Sequence, residues 1–232
     1  MKKVAILQSN YVPWKGYFDL INSVDEFVIY DTAQYTKNDW RNRNKIKTGQ
    51  GISWLTVPVA AKGKSDQKID EAVVSDQRWR KKHWSAISQS YSKCKFFNDY
   101  KHYFEKIFLE GLENKLSDIN FRFMKLINEI LGVTTKIHWS SDFELSIGKT
   151  DRLVNICCDL NAKIYLSGPS AKDYLDENLF EQEGMGVEWM DYSGYPEYEQ
   201  QHGPFEHGVT VLDLIFNEGP NSTQFMKSFG NK

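Results

Sequence analysis

No run of about 18 consecutive apolar residues occurs in this chain, so nothing in it has the length of a membrane-crossing helix. The N-terminal apolar stretch, Val4-Ala5-Ile6-Leu7, ends at Gln8-Ser9-Asn10 and is too short for a secretory signal. Cysteine is scarce. Cys94, Cys157 and Cys158 show neither metal-ligand spacing nor a disulfide framework. A reducing, cytoplasmic setting is the expectation, with Cys157 and Cys158 as small core residues on one helix. An excess of one charge is also missing. The formal net charge is −2, from 29 Lys and Arg against 31 Asp and Glu, which argues against non-specific nucleic-acid binding. The chain has no Gly-x-x-x-x-Gly-Lys-Ser/Thr phosphate loop, no dinucleotide fingerprint, no Gly-x-Ser-x-Gly elbow and no His-Glu-x-x-His. No Asp-x-Asp occurs either, which ranks a metal-dependent glycosyltransferase low.

What is present is globular and aromatic. The 232 residues are 41% hydrophobic and 26% charged, values of a folded domain. Seven Trp and twelve Tyr are more rings than a core absorbs silently, because their polar tips need partners. The expectation is one α/β domain over 1–220, with a helical subdomain at about 77–131 and a mobile tail over 221–232. Val4–Leu7 reads as a buried strand and Gly16–Val24 as a helix with Tyr17, Leu20, Ile21 and Val24 on one face. Phe27–Tyr30 reads as a second strand. That order is a βαβ unit, which builds parallel sheets with ligands at the carboxyl ends of the strands. Residues 32–51 read as a polar, basic stretch. Further strands are expected at Trp54–Val59, Val73–Val74, Thr135–Trp139, Ile164–Leu166 and Val187–Met190. Helices are expected at Gln77–Ser90, Asn98–Leu109, Leu116–Leu131, Asp151–Asp159, Lys172–Leu175 and Val209–Phe216.

The first βα loop, Gln8 to Phe18, is the most informative stretch. It lies before a helix N-terminus, where free N–H groups and the dipole favour anions. Gly16 would admit a phosphate and Lys15 would balance it; alternatively Pro13, Trp14 and Gly16 only shape a tight turn. Asp31, at the end of the second strand, would bind a metal or a hydroxyl, or cap a turn. Trp40-Arg41-Asn42-Arg43-Asn44-Lys45 interleaves cations with amides. Arginine forks suit phosphate or carboxylate oxygens, and Trp40 would stack on a base or sugar. Ser167-Gly168 with Lys172 forms another strand-to-helix junction. Residues 191–208 are rich in Tyr, Pro and Gly, and His202 and His207 flank a candidate cleft loop.

The run Gln8 to Ile21, with Tyr30-Asp31, Trp40 to Ile46, Trp54 to Pro58, Tyr165 to Gly168 and Leu212 to Asn217, resembles the WbqC-like family. The likeness spans nearly the whole chain in order, although Ser9 stands where the family usually has Pro. It implies a setting in bacterial surface-polysaccharide (O-antigen) biosynthesis. In layout the first loop is similar to that of the pantothenate synthetase and nucleotidyltransferase group. There Trp14-Lys15-Gly16-Tyr17 takes the place of His-x-Gly-His, without either His. The fold expectation is therefore a parallel-sheet core of nucleotidyltransferase-like layout.

These likenesses imply an enzyme that joins an amino or carboxylic acid to a nucleotide-linked amino sugar, with ATP and Mg²⁺ supplying activation. In that reading Gln8, Tyr11, Pro13, Lys15, Gly16, Tyr17, Ser167 and Gly168 bind the nucleotide. Arg41, Arg43, Asp31 and Lys172 serve the chemistry. Gln34, Trp40, Asn42, Asn44, His202 and His207 hold the substrate. A non-catalytic sugar-nucleotide binding or scaffold protein is the alternative. No nucleic-acid partner and no membrane insertion are expected.

Overall fold

The computed structural model describes residues 1–230. β1 (Lys3–Leu7), α1 (Lys15–Asn22) and β2 (Glu26–Ile29) form the expected βαβ unit, with Ala5 opposite Phe27 in a parallel pair. A hairpin follows: β3 (Arg43–Thr48) and β4 (Gly51–Thr56), antiparallel, with Lys45 opposite Trp54. Then come α2 (Trp79–Tyr91), α3 (Phe97–Glu110) and α4 (Leu116–Leu131). The chain re-enters the sheet at β5 (Lys136–Trp139), crosses through α5 (Lys149–Asp159) to β6 (Ile164–Ser167), and through α6 (Glu177–Gln182) to β7 (Gly186–Trp189). α7 (Val211–Glu218) closes the fold.

The main sheet runs β5-β2-β1-β6-β7, and every neighbouring pair is parallel. Both faces are buried, as strands in such sheets require. Ala5, Phe27 and Ile29 pack with α1, α2, α3, α4 and α7 in one core. Val4, Ile6, Val28 and Tyr165 pack with Ile156 and Cys157 of α5 and Phe180 of α6 in another. Alternate residues of one strand thus enter opposite cores, the period-two consequence of the pleat. α2, α3 and α4 share the first core rather than forming one of their own. The strand order reverses direction between β1 and β6, the place where open α/β sheets open a crevice at their carboxyl ends.

Several expectations are corrected. The stretch 32–51, read as polar and basic with no strand assigned to it, contains β3. Its inward side chains are Asn44 and Ile46, so only one apolar residue marks the strand. β4 ends at Thr56; Val57 and Pro58 continue extended without pairing as a strand. Val73 and Val74 make only isolated bridges. No α-helix begins at Lys172. A 3-10 turn spans Pro169–Ala171, and the helix starts after Asp176, whose side chain accepts Asn178 N at 3.1 Å. Cys157 is buried but Cys158 is exposed. The expected tail is docked where it is described: Gly219–Phe225 forms a 3-10 helix, Met226 is buried, and Ser228 N donates to Asp19 Oδ1 at 2.7 Å. Residues 231–232 of that expected tail lie outside the described residues.

Candidate functional site

The first βα loop is held in a backbone shape that its residues do not favour. Val12 has a φ of 39°, in the left-handed region that a β-branched side chain rarely enters. Such a conformation persists only where its surroundings over-determine it. Here they do. Asn44 Nδ2 donates to the Val12 carbonyl at 2.7 Å and the Tyr11 carbonyl at 3.1 Å. Tyr11 N donates to the Trp40 carbonyl at 2.9 Å, and Val211 N to the Pro13 carbonyl at 2.9 Å. The hairpin and α7 therefore clamp this loop from both sides.

The clamped loop forms one wall of a cleft of about 490 Å³. Asn10, Pro13 and Trp14 come from the first loop, Trp40 and Asn44 from the hairpin side. The rest of the wall is Tyr192 to Tyr195, after β7, with His207 and Gly208 before α7. The Trp14 ring packs edge-on against Tyr192 at 5.2 Å and Tyr195 at 5.7 Å. Ligand pockets are commonly built this way, mostly aromatic with a few placed polar groups. The position is the carboxyl end of the sheet. Tyr192 also lies beside the loop after β6, its hydroxyl 3.9 Å from where a Cβ on Gly168 would stand.

Among the described residues, no Lys, Arg, Asp or Glu lines this cleft. Burial pushes the Tyr192 phenol up to about 12, with Asp19 adding to the effect, and the Tyr195 phenol far above its ordinary range. His207 carries the one imidazole among the lining side chains. It is exposed and packs against Phe205 at 4.6 Å. Imidazole is the usual general base near neutrality.

The structure brings together Pro13, Trp40, Asn44 and His207 of the residues singled out from sequence. The rest are placed otherwise. Asp31 is fully buried: its carboxylate accepts Ser9 N at 2.8 Å, Ser9 Oγ at 2.7 Å and the Ser117 hydroxyl. Burial holds it above the ordinary carboxylate range, against the pull of those donors. It fastens the first loop to β2 and α4. Tyr11 is a core residue whose hydroxyl meets His83 Nδ1 at 2.8 Å. Tyr17 is buried and donates to the Gln8 carbonyl at 3.1 Å. Gly16 does not leave room for a phosphate, because a Cβ there would come within 2.3 Å of the Trp14 ring. Lys15 is buried, donates to the Pro196 carbonyl at 3.0 Å and lies over the rings of Tyr195 and Tyr198. Burial pulls its ammonium down to about 8, against the carboxylates of Asp19, Asp213 and Glu197.

Arg41 pairs with Asp39 at 3.1 Å. Asn42 is buried and donates to the Val57 carbonyl at 2.9 Å. Gln34 reaches the Ser65 carbonyl at 2.7 Å. Ser167 is buried, and Lys172 lies over the Trp189 ring at 5.5 Å. His202, with φ 68°, stands beside Gly49 rather than in the cleft. Arg43 stacks on Trp54. Of the residues assigned to the nucleotide, Tyr11, Lys15 and Tyr17 are thus buried and hydrogen-bonded within the protein. Among the described residues, no three His, Cys, Asp or Glu gather as a metal site. No described helix is long and apolar enough to cross a membrane.

Sequence reasoning passed over Asn10 and Trp14 individually and missed Tyr192, Ser193, Tyr195 and Gly208. The usable signal was the clustering of Tyr and Gly in 191–208, set against the Trp of the first loop.

Comparison with known proteins agrees with the order of these motifs. Residues 8–225 match the WbqC-like protein family. The chain is 48% identical over 227 residues to a protein of Mycobacterium tuberculosis (strain H37Rv) that bears the name "Uncharacterized protein Rv1507c", covering 98% of each chain. No solved structure matches. This chain belongs to the WbqC-like family.

Proposed function

We propose that this protein binds a nucleotide-linked amino sugar in the aromatic cleft and acts there as an acyltransferase of surface-polysaccharide assembly. The observation that carries the reading is the cleft wall itself. Trp14, Trp40, Tyr192 and Tyr195 supply ring faces and edges, while Asn10, Asn44 and Ser193 supply uncharged hydrogen-bonding groups. That combination suits a hydroxylated, largely neutral ring. The C–H faces of a sugar pack on aromatic rings, and its hydroxyls exchange hydrogen bonds with amides. It does not suit a triphosphate, for which charged donors are the usual partners.

In this reading the acyl donor reaches the site already activated, so the chemistry runs through neither ATP nor Mg²⁺ on this chain. The sugar amine attacks the acyl carbon, forming the N–C bond. The bond from that carbon to its leaving group breaks. The proton lost by the attacking nitrogen passes to the His207 imidazole, and the leaving group departs with the electron pair. His207 is assigned because it carries the imidazole among the described lining residues.

Calorimetry against UDP- and dTDP-linked amino sugars, with and without ATP and Mg²⁺, tests binding. A ligand present at about 100 times its dissociation constant adds about 2.7 kcal/mol of stability, so thermal shift reads the same event. The expected outcome is binding that needs no ATP and is lost in Trp14→Ala. Acyl transfer from an activated thioester, lost in His207→Ala while binding persists, supports the enzyme. Binding without turnover from any donor sinks the enzymatic half. It leaves the non-catalytic reading, which the cleft favours in one respect: it offers a single candidate general base.

A further inference from the structure

Beside the cleft, on the outer face of the hairpin, lies a group of cations and rings that the sugar reading does not use. Arg43 and Lys45 are both half-buried on β3. The Arg43 guanidinium carbon sits 4.2 Å from the centre of the Trp54 ring. Lys45 Nζ lies 5.3 Å from the Trp54 ring and 5.9 Å from the Trp40 ring. Trp40 and Trp54 are tilted against each other at 5.5 Å, and each is 42% exposed.

The cations are unusual in what they lack. Among the described residues, no carboxylate forms an ion pair with Arg43 or Lys45. Their neighbour Arg41, by contrast, is paired with Asp39. Arg43 Nε is buried and has no hydrogen-bond partner. A buried charged donor left unpaired is costly, and structures normally satisfy it. Stacking occupies only the face of a guanidinium. In its plane a guanidinium gives two parallel hydrogen bonds, the geometry that matches phosphate oxygens. Lys45 adds a point charge without directional demand. Trp40 belongs both to this group and to the cleft lining. Trp40 thus joins the cleft to the ring pair that carries the two cations.

We infer that Arg43 and Lys45, braced on Trp54 and Trp40, form a subsite for the diphosphate of an ester whose other end lies in the aromatic cleft. The inference rests on the cleft reading for the position of the sugar, and on the hairpin alone for the diphosphate. Two sources share this chemistry: a nucleoside diphosphate and a polyprenyl diphosphate.

The test is calorimetry of the full chain with inorganic pyrophosphate, UDP and geranyl diphosphate, at low and at raised salt. Pyrophosphate and at least one ester should bind, and affinity should fall with salt because both cations are partly exposed. Arg43→Gln and Lys45→Gln should each weaken pyrophosphate about tenfold or more, whereas Arg78→Gln, which removes an exposed cation elsewhere, should not. Circular dichroism confirms the fold of each variant, and Lys45→Gln stands in should Arg43→Gln fail to fold. Tighter binding of UDP than of geranyl diphosphate assigns the site to a nucleotide, and the reverse assigns it to a lipid carrier. Pyrophosphate affinity unchanged in both variants, or no diphosphate bound at millimolar concentration, overturns the proposal. The cleft reading fails separately. In that case a sugar nucleotide binds no tighter than UDP, and Trp14→Ala is silent.

Discussion

Tyr195 Oη donates to Asp19 Oδ2 at 2.6 Å, joining the wall of the cleft to the buried face of α1. Asp19 also accepts Lys227 N at 3.1 Å, Ser228 N at 2.7 Å and the Ser228 hydroxyl. One carboxylate thus gathers the cleft wall and the C-terminal segment. Lys227 strengthens the link, since its Nζ reaches Asp191 Oδ2 and the Ser193 carbonyl.

It follows that trimming the chain after Met226 reaches the cleft although no described residue of the trimmed segment lines it. Removal strips Asp19 of three donors and leaves a buried charge with one. The expected cost is about 3 kcal/mol, against about 1 kcal/mol for Tyr195→Phe, which deletes a single bond. Urea unfolding measures both, and ligand affinity should weaken in both. A truncated chain of full stability would show that the segment merely rests on the surface.

Asn44 gives a sharper chemical contrast. Its Nδ2 donates to two buried carbonyls, those of Tyr11 and Val12, while its Oδ1 accepts Lys45 N at 2.7 Å. Asn44→Ala should cost about 3 kcal/mol, because those carbonyls lose their donor. Asn44→Asp keeps the shape yet sets an oxygen against two oxygens, so it should be the worse of the two. If the Asp variant matched wild type in denaturant, the clamp on the strained Val12 would be assigned to the wrong group.

His83 makes a prediction about acid. Tyr11 and Thr56 surround it: the phenol meets Nδ1 at 2.8 Å, and the backbone of Thr56 makes a hydrogen bond to the ring. Burial pulls its imidazole from 6.5 down to about 4. Between those values the unfolded chain binds a proton that the folded chain refuses. The stability from this group is therefore complete above about pH 6.5 and lost as pH falls toward 4. The loss should be on the order of 3 kcal/mol. His83→Gln, which can still accept from Tyr11, should remove that part of the acid sensitivity. Parallel stability curves for the two proteins from pH 7 to pH 4 would rule it out.

The same residues explain what the sequence made legible. The α4 boundaries stood out because Leu116, Ile119, Phe123, Ile127 and Leu131 repeat at helical spacing. Gly132 then turns left-handed, with φ 72°. β1 and β2 were short apolar runs, and that is how buried parallel strands read. β3 was hidden because its inward Asn44 serves hydrogen bonding rather than apolar packing. Gly16 was read as room for a phosphate, when its missing Cβ makes room for Trp14. The cleft was half visible. Trp40 and Asn44 declared themselves by type, but Tyr195 is ordered by Asp19 across 176 residues of sequence, and no local pattern carries a contact of that range.

Lys15 gives a second pH dependence of the same sign, in an alkaline window. The lysine is buried against Tyr195 and Tyr198, and burial lowers it from 10.5 to about 8. Between these values the unfolded chain holds a proton that the folded chain has released, so this group's contribution to stability rises with pH across the window. Its charge in the folded state costs stability below pH 8, on the order of 3 kcal/mol relative to its unfolded form. The gap in unfolding free energy between wild type and Lys15→Met should therefore shift in favour of wild type from about pH 8 to pH 10. Ligand binding should move the other way. The ammonium holds the rings of the cleft wall by cation–π attraction, and that attraction fades as the proton leaves. Wild-type affinity for a cleft ligand should decline through about pH 8, while the affinity of Lys15→Met, weaker at pH 7, should stay flat. A variant that retains the wild-type pH profile would place the titrating group elsewhere and free Lys15 from any part in ordering the wall.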